Sequence, residues 1–207
     1  MKIFSFLFLF ITINSYSQQL DSIIDGRDGK IYKTVKIGNQ WWFAENLAYI
    51  PFICPPEEEC GCWIYDYYEN SVFWAKINDN YKKNGCLYDW FTASNSCPFD
   101  WHLPTDEDWN YLENYLNSKN KDNEKNTSLN YDENEITKYD LSLDFKYTGI
   151  KTLGGSFINK EYSVYYWTST IYDKYFVYTR SLNKSDSAIL RTINQKYSGF
   201  SVRCVKN

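Results

Sequence analysis

His102 is the single histidine of the sequence, so a catalytic triad or a zinc site that used imidazole would have to be assembled around it. A histidine-rich metal cluster is thereby excluded. Trp101, Leu103 and Pro104 enclose the ring in an apolar turn, a setting that suits a packed or hydrogen-bonded structural histidine better than a general base. Acids are plentiful, 26 Asp and Glu in all, and two of them could stand at glycosidase separation. Their order along the chain does not show which. Asp122, Asp132, Glu133 and Glu135 could ligate a cation, but their segment lacks calcium-loop spacing with its required glycine, and a solvated surface loop is the simpler reading. No Gly-rich phosphate loop, Gly-x-Ser-x-Gly elbow or His-Glu-x-x-His motif is present. No metal and no cofactor is expected. Six cysteines remain, and in a chain headed for export an even count favours disulfides over zinc.

These residues must be held by elements, and the best-specified element is the segment CPFDWHLPTDEDWNYLENYL, from Cys97 to Leu116. Pro104 pushes the residue ahead of it toward extended backbone, so Trp101, His102 and Leu103 should enter as a short extended run. Thr105 can cap a helix with its hydroxyl while Asp108 reaches back, and Asp106, Glu107 and Asp108 all suit the positive end of the helix dipole. The helix is expected near 105–117, its first residue at about Asp106. Trp109, Leu112 and Leu116 fall at spacings of three and four, one apolar stripe that must be buried.

Export is read from the start of the chain. Lys2 precedes an apolar run from Ile3 to Phe10, broken only by Ser5, and Ser15 and Ser17 give a small-residue cleavage pattern. The run is too short to span a bilayer, so residues 1–17 read as a signal peptide and 18–207 as one mature domain without a transmembrane segment. The first cysteine after the run is Cys54, too late for a lipid-attached lipoprotein. The expected location is extracellular or on the cell surface, with the periplasm as the alternative. Loss of Lys2 with the leader makes a net charge of −4 one unit more negative, which argues against nucleic acid as a partner. Aromatics are 20% of the chain, a payload for a sheet-rich core.

In chain order, IYKTVKI and QWWFAENL flank Gly38-Asn39 as a hairpin, with Asp28-Gly29 as a turn upstream. Trp41 and Trp42 then point to opposite faces. Cys54, Cys60 and Cys62 sit in a proline-rich loop from Ile50 to Cys62 that covalent bridges should tie down. WIYDYY reads as a strand, SVFWAKINDNYKK as a helix and LYDWFTAS as a short helical or turn segment. The stretch from Asn117 to Tyr139 reads as a surface loop. FKYTGI, YSVYYWTST, KYFVYTRSL, SAILRTI and GFSVRCV follow as short strands. Thr179, Arg180, Arg191 and Arg203 recur in them, and such long cationic side chains should cover sheet faces or pair with acids rather than form an anion site.

DGKIYKTVKIGNQWWFAENLAY, NGCLYDWFTAS, CPFDWHLPTDEDWNYLENYL, YYWTST and YSGFSVRCVKN, in that order, resemble the motifs of the Fibrobacter succinogenes major paralogous domain, a family of exported bacterial proteins. WHLPTDEDW with a late GFSVRCV is similar, more distantly, to the formylglycine-generating-enzyme and C-type-lectin-like group. That likeness implies an α+β fold: a single C-type-lectin-like domain with a mainly antiparallel sheet, a central helix, long loops and neighbouring termini. The lectin group's calcium ligands have no counterpart in YYWTST, and Cys204 stands without the late partner of the formylglycine enzyme's reactive pair. Cys86 departs from the closer family's pattern. The resemblance implies a Cys97–Cys204 disulfide, since each motif carries one of the two and a lectin-like domain returns its last strand beside the segment entering the helix. Such a bridge would constrain the unfolded chain by up to about 4.7 kcal/mol. Cys54, Cys60, Cys62 and Cys86 are left for two further bridges, with Cys60 and Cys62 too close in sequence to pair.

The family has no settled activity to carry over, so function rests on the residues. The leading expectation is a non-enzymatic binding or adhesion module for glycan or peptide, presenting ring faces to a glycan or surface protein. Trp41, Trp63, Tyr68 and Trp74 are the candidate rings, because each adjoins a turn or an irregular segment. The alternatives are a carboxylate-based enzyme and a purely structural surface component.

Overall fold

The computed structural model describes residues 19–126 and 143–207. The leader and its cleavage point lie outside these residues, as do Asp132, Glu133 and Glu135. In chain order the elements are β1 (Leu20–Ile24), β2 (Ile31–Ile37), β3 (Gln40–Phe43), β4 (Cys62–Trp63), α1 (Val72–Ile77), α2 (Asp79–Asn84), β5 (Leu87–Tyr88) and α3 (Trp90–Ala93). Next come β6 (Trp101–His102), α4 (Asp106–Asn126), β7 (Thr148–Lys151), β8 (Phe157–Lys160), β9 (Ser163–Ile171), β10 (Phe176–Asn183), β11 (Asp186–Gln195) and β12 (Val205–Lys206). The class is α+β, and most of the regular structure is sheet.

Two five-stranded sheets, ordered β1-β2-β3-β12-β6 and β11-β10-β9-β7-β8, are accompanied by a two-stranded ribbon of β4 and β5. Among these pairings only β7 with β9 is parallel. β2 and β3 close around Gly38-Asn39, with Ile37 opposite Gln40. Gly38 sits at φ 58°, where any other side chain is strained, and a Cβ there would crowd the Tyr111 hydroxyl, so the turn favours glycine. The Asp28-Gly29 turn also forms, its Gly29 amide donating to the Asp25 carbonyl at 2.8 Å.

β12 is what makes one unit of the two chain ends. Val205 pairs with Trp42 on one side and His102 on the other, so the last strand fills the gap between the N-terminal hairpin and the run entering α4. A disulfide joins Cys97 to Cys204 beside that insertion, with Cα atoms 5.8 Å apart. A second links Cys54 to Cys60.

α4 lies over both sheets by the stripe its spacing required. Trp109, Leu112 and Leu116 are buried with Val35, Trp42, Val164, Tyr166 and Leu182. The Trp109 ring meets Trp42 edge-on at 5.1 Å and Tyr166 at 5.4 Å. Removing each leucine of that stripe from water contributes roughly 1.5–3 kcal/mol. The larger cluster, containing Tyr32, Phe43, Tyr88, Trp101, Trp167 and Phe200, fills the other side of the N-terminal sheet and the ribbon.

Several boundaries differ from expectation. α4 runs to Asn126, well past the expected end near 117, so the first part of the stretch read as a loop, Asp122 included, is helical. SVFWAKINDNYKK forms two helices because Asn78 takes an extended ψ of 137°, ending α1 and capping α2 with its side chain on the Asn80 and Tyr81 amides. WIYDYY is a strand only as far as Trp63; a turn follows, closed by the Tyr67 amide on the Ile64 carbonyl, with Asp66 at φ 55°. GFSVRCV is not a continuous strand. It crosses between the sheets by single bridges, Gly199 to Lys151, Phe200 to Tyr88 and Ser201 to Tyr166, before β12 begins.

Candidate functional site

The four rings singled out in the sequence meet different fates. Trp63 is a correction: it is 1% exposed, held in the ribbon with Gly199 against its ring, the Lys151 ammonium 3.9 Å above it and its indole N–H on the Glu58 carbonyl. Proximity to a turn did not expose it, because β4 runs into the core and pairs there with β5. Trp41 is half-buried against the core, on the face opposite wholly buried Trp42. Tyr68 and Trp74 are exposed, at 58% and 54%.

Tyr68 and Trp74 belong to one short segment, which carries more apolar surface than the sequence reading recognised. Ser71 caps α1 by accepting the Trp74 amide, and the Tyr67 hydroxyl donates to the Ser71 carbonyl at 2.7 Å, anchoring the cap. From that anchor α1 buries only Ala75. Val72, Phe73, Trp74 and Ile77 all face solvent, Phe73 the most at 68%. The Phe73 and Trp74 rings meet edge-on with centroids 5.1 Å apart, and Tyr68 is steadied by Phe157 at 5.9 Å. Phe73 could have been found from sequence: VFWAKI has no helical stripe wide enough to bury four large side chains at once.

The groups that looked able to do chemistry are committed elsewhere. His102 Nε2 lies 3.2 Å from Asp108 Oδ2, and Nδ1 lies 2.6 Å from the side-chain oxygen of Asn207. Asp108 also accepts the Thr105 amide and hydroxyl and the Gln40 side-chain amide, while Thr105 Oγ1 accepts the Asp108 amide. This is the capping box anticipated at the start of α4, with an imidazole added. The hydrogen bond to Asp108 raises the His102 pKa against the opposing effect of burial. Burial pushes Asp108 up, but bonds from His102 and Thr105 outweigh it and hold the carboxyl below its usual range.

Arg180 is wholly buried and pairs with Asp106 and, at 2.6 Å, with Glu113, while also donating to Asn110. Arg191 shares Asp106 and lies 3.6 Å above the Tyr178 ring. Among the described residues Arg203 pairs with no acid, and its guanidinium lies 5.5 Å from the Tyr166 ring of β9. Its guanidinium donates to the Phe43 and Asp144 carbonyls, the Asn46 side chain and the Tyr166 hydroxyl, tying the inter-sheet crossing to the loop after β3. Among the described residues no cluster of His, Cys, Asp or Glu could hold a metal ion. A cleft of about 260 Å³ beside α2 is lined by Lys30, Lys82, Lys83, Lys146, Glu45 and Asp144, and both of its acids are already paired with lysines. No described helix is long and apolar enough to cross a membrane.

The hairpin, the run into α4 and the final strand, three of the motifs that carry the family resemblance, are the parts β12 brings side by side. The sequence description of the Fibrobacter succinogenes major domain matches residues 35–206. The chain belongs to that family. Comparison with curated proteins and with solved structures returned no match. The Fibrobacter succinogenes major domain as it occurs here starts within β2 and takes in α1, α4, both disulfides and the second sheet.

Proposed function

We propose that the protein is an exported, non-enzymatic binding module whose recognition surface is the segment from Tyr68 to Ile77. The observation that carries this reading is the exposure of Val72, Phe73, Trp74 and Ile77 on a helix that buries only Ala75. Concentrated apolar exposure of this kind marks interaction sites. The occupant is a protein or peptide segment with apolar side chains. A sugar stacks on a ring and takes hydrogen bonds from its neighbours, whereas aliphatic Val72 and Ile77 offer it none. A C-type-lectin-like ancestry of the scaffold accords with β12 returning beside the run into α4. Export accords with two disulfides, which persist in oxidising compartments. The enzyme alternative loses support because Asp25, Asp106, Asp108 and Glu113 are each engaged by an arginine or a histidine.

The test is a screen of the mature chain against peptide and glycan arrays in parallel, with hydrolysis products monitored, for the wild type and for Phe73→Ser/Trp74→Ala. Peptide binding lost in the double variant is the expected result. Binding confined to glycans, or turnover abolished by a single Asp or Glu substitution, would overturn the reading.

A further inference from the structure

Cys62 and Cys86 are the two cysteines that the bridges leave as thiols, and both are wholly buried. They flank the β4–β5 ribbon, Cys62 opening β4 and Cys86 just ahead of β5. Cys62 lies opposite Tyr88 and Trp63 opposite Leu87, so Cys86, two residues before Tyr88, stands on the same side of the ribbon as Cys62. Both thiols lie inside the cluster that also holds Ile64, Tyr88 and Phe200. The other four cysteines are bridged, so Cys62 and Cys86 are the two thiols left, on one side of the ribbon and in one buried cluster.

We propose that Cys62 and Cys86 are the site of a third disulfide, introduced while the chain folds and stapling the ribbon to which the second sheet attaches. The co-reactant is a donor disulfide, either of an oxidoreductase or of a low-molecular-weight thiol couple. The thiolate of one cysteine attacks the donor, forming a mixed disulfide and releasing one donor thiol. The second cysteine, as thiolate, attacks its partner's sulfur and expels the other donor thiol. The pair gives up two electrons and two protons; the donor takes them as two thiols.

Timing follows from the surroundings. Burial, and then the contact with Cys86, push the Cys62 thiol well up, so the nucleophilic thiolate is lost once the core closes. Tyr88 exchanges both backbone hydrogen bonds with Phe200, at 2.8 and 2.9 Å, and the crossing segment thereby seals the ribbon. Oxidation must therefore precede docking of Phe200. A chain that closes with the thiols reduced keeps them.

This inference rests on folding in an oxidising environment and not on what α1 binds. The full chain is refolded in a glutathione redox buffer, and the fraction in which Cys97–Cys204 is mapped is unfolded without reductant in the presence of a maleimide. Intact mass and peptide mapping should show no adduct, and a peptide joining Cys62 to Cys86 that separates on reduction. A Cys62→Ser variant should show one adduct, on Cys86. Two adducts in the wild type, on Cys62 and Cys86, would overturn the proposal. So would a mapped bridge from either cysteine to Cys54 or Cys60.

Discussion

Helices α4 and α1 are built from similar material and put to opposite uses. Both begin at a hydroxyl cap and both carry a tryptophan and aliphatic residues. In α4 the apolar residues fall at spacings of three and four, and all three are buried. In α1 they crowd into VFWAKI, where no single face holds them, and four stay in water. Charge follows the same division. Asp106 and Asp108 at the start of α4 are tied to Arg180, Arg191 and His102, whereas Lys76 near the end of α1 is exposed. Spacing, not composition, separates a helix that buries its apolar residues from one that leaves them in water.

The division breaks most visibly at Arg180. Its guanidinium is wholly buried, so Arg180→Ala takes from Glu113 its cation and leaves Asp106 with Arg191 alone. A loss of about 3–5 kcal/mol is expected in urea unfolding, the cost of breaking a buried pair from one side. A loss under about 1 kcal/mol would mean that the stripe alone seats the helix. Next in size is the pair Cys97→Ser and Cys204→Ser. The bridge has a sequence separation of 107, and its loss should cost about 2–5 kcal/mol in the same assay.

The parts of this fold legible in the sequence were those governed by local rules. Thr105, Asp108 and Pro104 specify the start of α4 without help from the rest of the chain, and Gly38-Asn39 specifies a hairpin. What distant residues decide was harder to read. Trp63 adjoins an irregular loop, yet its burial depends on Gly199 and Lys151, far along the chain. GFSVRCV alternates like a strand, but it serves three partners in turn and cannot ladder with any one of them. Of the three exposed rings in the α1 segment, two were named from the sequence, Tyr68 and Trp74. Phe73 was missed because a hydrophobic run reads first as core.

His102 sharpens the comparison on the α4 side, since it links the capping box to the last residue, Asn207. Its folded pKa lies above the ordinary 6.5, so its contribution is fully present below 6.5 and is lost as pH rises through the raised value. Asp108 lies below the ordinary 3.8, and its contribution is lost as pH falls through that lowered value. The pair therefore works best between about pH 4 and 6.5. His102→Ala should lower the melting temperature most within that window. The effect is no more than about 1 kcal/mol, because the imidazole is 37% exposed and screened by solvent. An unchanged pH profile in the variant would assign the stability optimum to other groups.

The smallest effect on stability is expected where the largest effect on binding is proposed. Trp74 is 54% exposed and its one ring partner among the described residues is Phe73, itself exposed, while its amide is held by Ser71 whatever side chain it carries. Trp74→Ala leaves the α1 cap in place and removes a ring that is more than half exposed, so unfolding should shift by no more than about 0.5 kcal/mol. Phe73→Ser removes the partner ring and should behave alike. The proof lies in the pairing of two measurements on one protein: a urea curve that superposes on the wild type, and peptide binding that disappears. If Trp74→Ala instead unfolds the domain at lower urea by several kcal/mol, α1 is seated as α4 is, and the recognition surface must be sought elsewhere. If the curve superposes and binding also persists, the rings are surface without a task.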